Sequence, residues 1–236
     1  MQPIIIHLDM NSYFATAEQQ DNPLYRGKVL GVCEHLGGII IAASIEAKRW
    51  GIKTGTPVWE ARKLYPKIIL TKTHPNRYRL YIKRTMKVVS DYTAFVEQAS
   101  IDELYADLTK ACNVRQVTSG ELLVASDPFE EAVNIAQIIK KRMKKEVGDY
   151  LTCSIGIAEN KLLAKIASDL KKPDGLVVVA SDELRVTSCT FGDLVLSKAD
   201  LYQKLKLTDI PGIGKRLEKN LNKLGIKTLL DLKNYP

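Results

Sequence analysis

With residues 11–76 set aside, the first 156 residues read in one order of apolar periods: strand, helix, strand, strand, helix, strand. Ile4–Leu8 is a short apolar run closed by Asp9, which predicts a buried strand with an acid at its C-terminal end. A long basic helix is predicted from Asn76 to Tyr92, carrying Arg77, Arg79, Lys83, Arg84 and Lys87, with Tyr81, Met86 and Val89 on its apolar side. Strands at 94–98 and 104–108 flank a hairpin tip, Asp127–Pro128 opens a helix to about Val147, and 150–156 is the next strand. A helix over Asn160–Leu170, with Leu162, Leu163, Ile166 and Ala167 inward, and a strand over Leu176–Val179 follow. This order predicts an α+β fold with a ferredoxin-like (βαββαβ) core. Right-handed crossovers then put the first strand beside the third, antiparallel to it. Asp9 therefore lands next to Asp102 and Glu103, acids more than 90 positions away.

A hairpin tip carrying two carboxylates is ordinarily a solvated turn. A third carboxylate arriving from another strand changes that reading, because clustered anions repel unless a cation neutralises them. An all-oxygen donor set suits Mg²⁺ or Mn²⁺. Two such ions form the common clamp for in-line displacement at phosphorus, a reaction that asks for charge neutralisation and positioning more than for acid–base groups. The histidines agree with this: His7, His35 and His74 share no ligand spacing and read as structural or exposed.

The remaining segments point to a polyanionic partner. The net charge is +8. From Leu201 to Pro236 eight Lys/Arg face three acids, so this tail carries +5. No run approaches the ~20 apolar residues of a membrane span, and the N-terminus lacks a basic lead and cleavage site. A cytoplasmic, nucleoid-associated protein is expected. Cys33, Cys112, Cys153 and Cys189 form no CxxC pair; Cys33 and Cys153 sit in strand patterns and read as reduced core residues.

Residues 11–76 read as a compact insertion of short elements. Asn11 or Ser12 is placed to cap a helix that ends at Asp21-Asn22-Pro23. Lys28–Cys33 and Ile39–Ala43 are strand candidates, Ser44–Trp50 is a short basic helix, and Thr56-Pro57 opens another through Tyr65 with Pro at its first position.

Four stretches then carry a resemblance: Asp9-Met10-Asn11-Ser12-Tyr13-Phe14, Ser100-Ile101-Asp102-Glu103, Ser154–Lys161 and Ala164–Gly175. In order and spacing they resemble the successive motifs of the Y-family, translesion DNA polymerases, nearest the DNA polymerase IV and polymerase V catalytic-subunit branches. The resemblance implies template-directed, low-fidelity lesion-bypass synthesis, with primer–template DNA and a dNTP as partners. It implies a palm (1–10 and 77–179), inserted small α/β fingers (11–76) and a helical thumb (180–236, incomplete), with the little finger absent. A sliding clamp would be engaged through a missing C-terminal region. Asp9, Asp102 and Glu103 would be catalytic metal ligands with the Met10 backbone carbonyl, holding two Mg²⁺. Tyr13 and Phe14, the latter as steric gate against a ribose 2′-hydroxyl, would bind nucleotide together with Lys48 and Lys172. Ala42, Ile45 and Lys48 stand where the family usually has Thr, Tyr and Arg, so two hydroxyls are missing and a bidentate guanidinium becomes a point charge. Leu207–Arg216 resembles a helix-hairpin-helix in which Gly212, Gly214, Lys215 and Arg216 would meet DNA phosphates.

Two other readings share these features. A nucleotidyl cyclase palm has the same strand order but would want Gly-Gly before the acidic pair, where Ala99-Ser100 stands. A weakly active DNA-binding fragment would also explain the altered finger contacts.

Overall fold

The computed structural model describes residues 2–112, 117–118, 121–122, 127–180 and 193–235. Cys189 and the beginning of the expected thumb, 181–192, lie outside the described residues. The elements run β1 (Ile5–Met10), α1 (Tyr13–Asp21), β2 (Leu30–Cys33), β3 (Ile40–Ala43), α2 (Ile45–Arg49), α3 (Val58–Leu64), β4 (Ile69–Lys72) and α4 (Pro75–Ser90). Next come β5 (Val96–Gln98), β6 (Glu103–Asp107), α5 (Thr109–Cys112), β7 (Val117–Thr118), β8 (Glu121–Leu122) and α6 (Pro128–Arg142). The chain closes with β9 (Cys153–Ala158), α7 (Lys161–Leu170), β10 (Leu176–Ala180), β11 (Leu194–Ser197), α8 (Lys198–Lys204), α9 (Lys215–Lys223) and α10 (Leu229–Lys233).

The main sheet has the strand order β11-β10-β9-β1-β6-β5. Its run β9-β1-β6-β5 is the ferredoxin-like order expected from the sequence, with β1 beside β6. The expected strand at 176–179 extends it as β10, paired parallel to β9, and β11, which no sequence period marked, adds parallel to β10. The insertion holds a sheet of its own, β3-β2-β4, with β2 antiparallel to β3 and parallel to the unexpected β4. Among the described residues no helix is long and apolar enough to cross a membrane.

The chain gathers into two compact units. One comprises Met1–Leu8, Tyr105–Ala136 and Ile155–Pro236. In it, Leu163, Ala164, Ile166 and Ala167 of α7 pack with Val177 and Val179 of β10 and Leu201 of α8. Asn160 caps α7, its side chain accepting from Leu163 N–H at 2.9 Å. Leu162, expected inward, is 48% exposed. At 100° per residue it lies about 120° from the centre of the buried stripe. A satellite cluster of Leu207, Ile226 and Leu229 holds α8–α10 together.

The other unit comprises Asp9–Leu104 and Gln137–Ser154. Cys33, Ile40, Ala47, Ile52, Val58 and Ala61 form its larger insertion cluster. Three local expectations change here. Ser12 precedes α1 with a left-handed φ of 48° and no capping bond. Asn11 is instead spent on the start of β9, donating from Nδ2 to Ser154 Oγ at 2.9 Å and accepting from Thr152 Oγ1 at 3.1 Å. Pro57 is the residue before α3, not its first. The helix ending at Arg142 does not run on as α-helix to Val147; Met143–Val147 is a π-helical turn closed by Gly148 N–H to Met143 O at 3.0 Å.

In the first unit, Gly156 explains why the 154–161 motif needs a glycine. A Cβ there would sit 2.0 Å from Ala164 O and 2.4 Å from Ser168 N. Strand β9 and helix α7 therefore touch backbone to backbone. Gly156→Ala should cost about 3 kcal/mol of stability, at the upper end of overpacking effects. A urea midpoint equal to the parent's would show that α7 slides away freely.

Candidate active site

The acids gather where β1 ends and β6 begins. Met10 N–H donates to Asp102 O at 2.9 Å, and at the far end of the same strands Leu108 N–H donates to Ile4 O at 2.8 Å. The index rises along β1 as it falls along β6, so the pair is antiparallel. Asp9 is then directly opposite Glu103 in a pair that exchanges no backbone bonds, with Cβ atoms about 4.5–5.5 Å apart. The register is confirmed two residues back, where the rings of His7 and Tyr105 lie 4.6 Å apart. Alternation puts Ile6, Leu8 and Met10 with Leu104 and Ala106 on the apolar face, all buried, and leaves Asp9 and Glu103 on the other.

The hairpin tip fixes Asp102. Ala99 and Ser100 N–H both donate to Glu103 O, at 3.0 and 3.2 Å. Ser100 Oγ donates to Asp102 Oδ1 at 2.6 Å. The backbones of all three predicted acids are thus brought together, with Asp9 only 9% exposed. Their side chains do not close into a triad: among the described residues no three His, Cys, Asp or Glu stand ready to hold one metal ion. The donor chemistry still fits a hard divalent cation, since Asp9 and Glu103 face each other as like charges and every available donor is oxygen.

Directly after Met10, the left-handed Ser12 turns the chain into α1 and delivers Tyr13 and Phe14 at its start, where N–H groups lack helical partners. Tyr13 is buried and its hydroxyl donates to Tyr78 O at 2.5 Å. Burial drives its phenol pKa well above the ordinary value, and the Asp102 charge adds to the rise. The Phe14 ring stacks on Tyr78, centroids 4.4 Å apart and planes 11° from parallel, with its other contacts in the cluster of Ala15, Leu30, Val32 and Ala42. Tyr78 is held in turn by Glu18. This carboxylate, 3% exposed, accepts from Tyr78 Oη at 2.6 Å and pairs with His74 Nδ1 at 2.8 Å.

Tyr78 and Glu18 escaped the sequence reading. The signal available was the α4 stripe Tyr78, Ile82, Thr85 and Val89, one face at helical spacing. Nothing in a single sequence joins Glu18 to it.

The other predicted residues fall as follows. Ala42 is half-buried on β3, Ile45 begins α2, and Lys48 is exposed on α2. Lys172 belongs to the first unit, where its ammonium meets Asp169 Oδ1 at 2.7 Å. In that unit too, Gly212 has φ 95°, a conformation that favours glycine, whereas Gly214 has an ordinary φ of −86° and opens α9. A Cβ on either would meet nothing within 4 Å. The fold itself therefore does not demand glycine at 214. Lys215 and Arg216 stand exposed in the first turn of α9.

The fold agrees with what the chain is similar to. Residues 8–169 match the model of the impB/mucB/samB family, and 203–226 match the IMS family HHH motif. The DNA polymerase IV proteins of Oceanobacillus iheyensis and Bacillus velezensis are 35% and 36% identical to it, each over 97% of this chain. The chain spans about half the length of these relatives, 48% and 49%. Among solved structures, an insertion ternary complex of Dbh DNA polymerase aligns with a TM-score of 0.78 at 31% identity, covering 99% of this chain and 61% of that one. DinB from Sulfolobus solfataricus aligns at 0.74 and 30%, covering 99% and 60%. A family model over most of the chain, with the helix-hairpin-helix motif matched in its place after it, places this chain in the impB/mucB/samB family of Y-family DNA polymerases.

Proposed function

We propose that the chain is the catalytic core of a template-directed DNA polymerase that adds dNMPs to a primer 3′-hydroxyl across damaged templates. The observation that carries this is the pairing of β1 with β6, which sets Asp9 and Met10 against Asp102 and Glu103 one step before the Phe14–Tyr78 stack. In this reading 1–10 and 77–179 are the palm, 11–76 the fingers and 180–236 the thumb. The separate β3-β2-β4 sheet supports the fingers assignment. Primer–template DNA and an incoming dNTP are the partners.

Asp9, Asp102, Glu103 and the Met10 carbonyl would hold two divalent ions, Mg²⁺ by donor hardness with Mn²⁺ a substitute. When bound, such ions lower the cost of forming an alkoxide and neutralise a leaving pyrophosphate. The chain's own residues position. The first N–H groups of α1, at Tyr13 and Phe14, offer donors to a phosphate. The Phe14 ring, fixed on Tyr78, fills space that a ribose 2′-hydroxyl would need. Lys48 and Lys172 supply cationic contacts to a triphosphate, and Gly212, Gly214, Lys215 and Arg216 let DNA phosphate approach the hairpin closely.

Three measurements test this. Asp102→Asn should reduce primer extension at least about 100-fold, the scale of a few kcal/mol of lost charge stabilisation, while leaving DNA affinity unchanged. Full activity in that variant would remove Asp102 from the site. Dimerised nucleotide instead of extended primer would favour a cyclase, and binding without product a scaffold. Phe14→Ala should raise ribonucleotide incorporation on the order of 100-fold relative to deoxyribonucleotide; an unaltered ratio would place the gate elsewhere. Lys215→Ala with Arg216→Ala should weaken DNA binding uniformly across sequences and flatten the salt slope by about 1 for each lost phosphate contact. A slope equal to the parent's would argue against contact at this hairpin.

A further inference from the structure

Both tryptophans of the chain, Trp50 and Trp59, lie in the insertion, and both are exposed, at 54% and 68%. Large aromatic rings left in water on a helical surface cost free energy that a core position would recover. They are not scattered. The Trp50 ring packs on Tyr65 at the end of α3, centroids 5.1 Å apart. Trp59 starts the exposed side of the same helix, six residues earlier, about 9 Å along its axis. Val58 and Ala61 take the buried side. Arg62 and Lys63, three and four residues after Trp59, share its face.

The charge around these rings is one-sided. From Arg49 to Lys67 the cations are Arg49, Lys53, Arg62, Lys63 and Lys67, all exposed, against the single acid Glu60. Among the described residues none of these five is held in a salt bridge. Rings left largely in water among unengaged cations match one ligand class. The π-faces stack on unpaired bases, which every base offers, and the cations follow the phosphates. Duplex DNA presents its phosphates but not its base faces, and so would use only the charge.

We propose that Trp50, Trp59 and the cations beside them on α3 form a stacking platform for single-stranded DNA. Its natural occupant is unpaired template, an identification that rests on the polymerase reading above; the affinity for a single strand does not.

Since all tryptophan emission comes from this patch, the chain reports its own occupancy. A short oligothymidylate should quench that emission, and a blunt duplex of equal length should bind without quenching it. Trp59→Ala, a change at an exposed position outside the core, should weaken oligothymidylate binding about tenfold by anisotropy of a labelled strand. Trp59→Phe should restore most of it, and Arg62→Ala with Lys63→Ala should lower the salt slope without abolishing quenching by the oligonucleotide. The proposal is overturned if labelled oligothymidylate binds with tryptophan emission unchanged, if Trp59→Ala keeps the parent's affinity, or if the duplex quenches equally. Asp102→Asn separates the two readings, because it should leave quenching intact whether or not extension survives.

Discussion

The hydrogen bond from Met10 N–H to Asp102 O fixes a register, and the rest of the site hangs on that register. One step along from it, Asp9 faces Glu103. Two carboxylates brought within about 4 Å of each other would repel by ~1–4 kcal/mol, depending on how much water reaches them. What holds them there is the opposite face. Ile6, Leu8 and Leu104 are fully buried, each contributing about 1.5–3 kcal/mol. A slip by one residue would carry this apolar set to the polar side and forfeit all of it. The core thus outweighs the repulsion and keeps the two acidic residues opposite each other in the sheet, an arrangement that a divalent cation would favour.

Much of this was readable from sequence for a definite reason. Strand and helix periods survive without knowledge of contacts, and handedness rules convert their order into neighbours, so β1 beside β6 and the backbone approach of Asp9 to Asp102 and Glu103 followed. Elements that add to an existing edge were harder. β4 and β11 are four-residue strands whose pairing is parallel and long-range, with no hairpin to announce them. The π-helical turn at Met143–Val147 was hidden because its residues, Met-Lys-Lys-Glu-Val, favour ordinary helix. The Asp102–Ser100 hydroxyl bond was also out of reach, since a rotamer choice leaves no period. Phe14 could be singled out only through the resemblance, and its partner Tyr78 not at all.

The Phe14–Tyr78 ring pair depends on an unusual foundation. Glu18 is a carboxylate taken almost completely out of water, which costs several kcal/mol unless its oxygens are bonded. Tyr78 and His74 supply those bonds. Burial raises the Tyr78 phenol above its ordinary pKa, and the bond to Glu18 adds to this. The neighbouring Tyr81, which donates to Asp21, is pushed up to about 12 by burial and that bond. Because the folded-state values are raised, the stability they contribute is whole below the ordinary phenol value of 10 and is lost only as pH climbs through the folded ones. Around neutrality both phenols stay donors, so the Tyr78 ring keeps its bond to Glu18 beside Phe14.

On the proposed reading, the insertion departs from the family's usual residues where a nucleotide would be met, and the departure has a physical direction. Ala42 places a methyl in the cluster with Phe14, and Ile45 a hydrocarbon at the start of α2, so neither donates to phosphate. Lys48 keeps charge without the paired geometry of a guanidinium. On that reading, affinity for a triphosphate would come more from point charge and helix N–H groups than from directed side-chain bonds, and point-charge binding discriminates less by shape. Discrimination would fall instead on a wall that the ring contacts hold in place. On the proposed reading that wall would be the Phe14 ring, stacked on Tyr78, which a buried carboxylate holds, and it would select by volume where the insertion offers fewer directed hydrogen bonds.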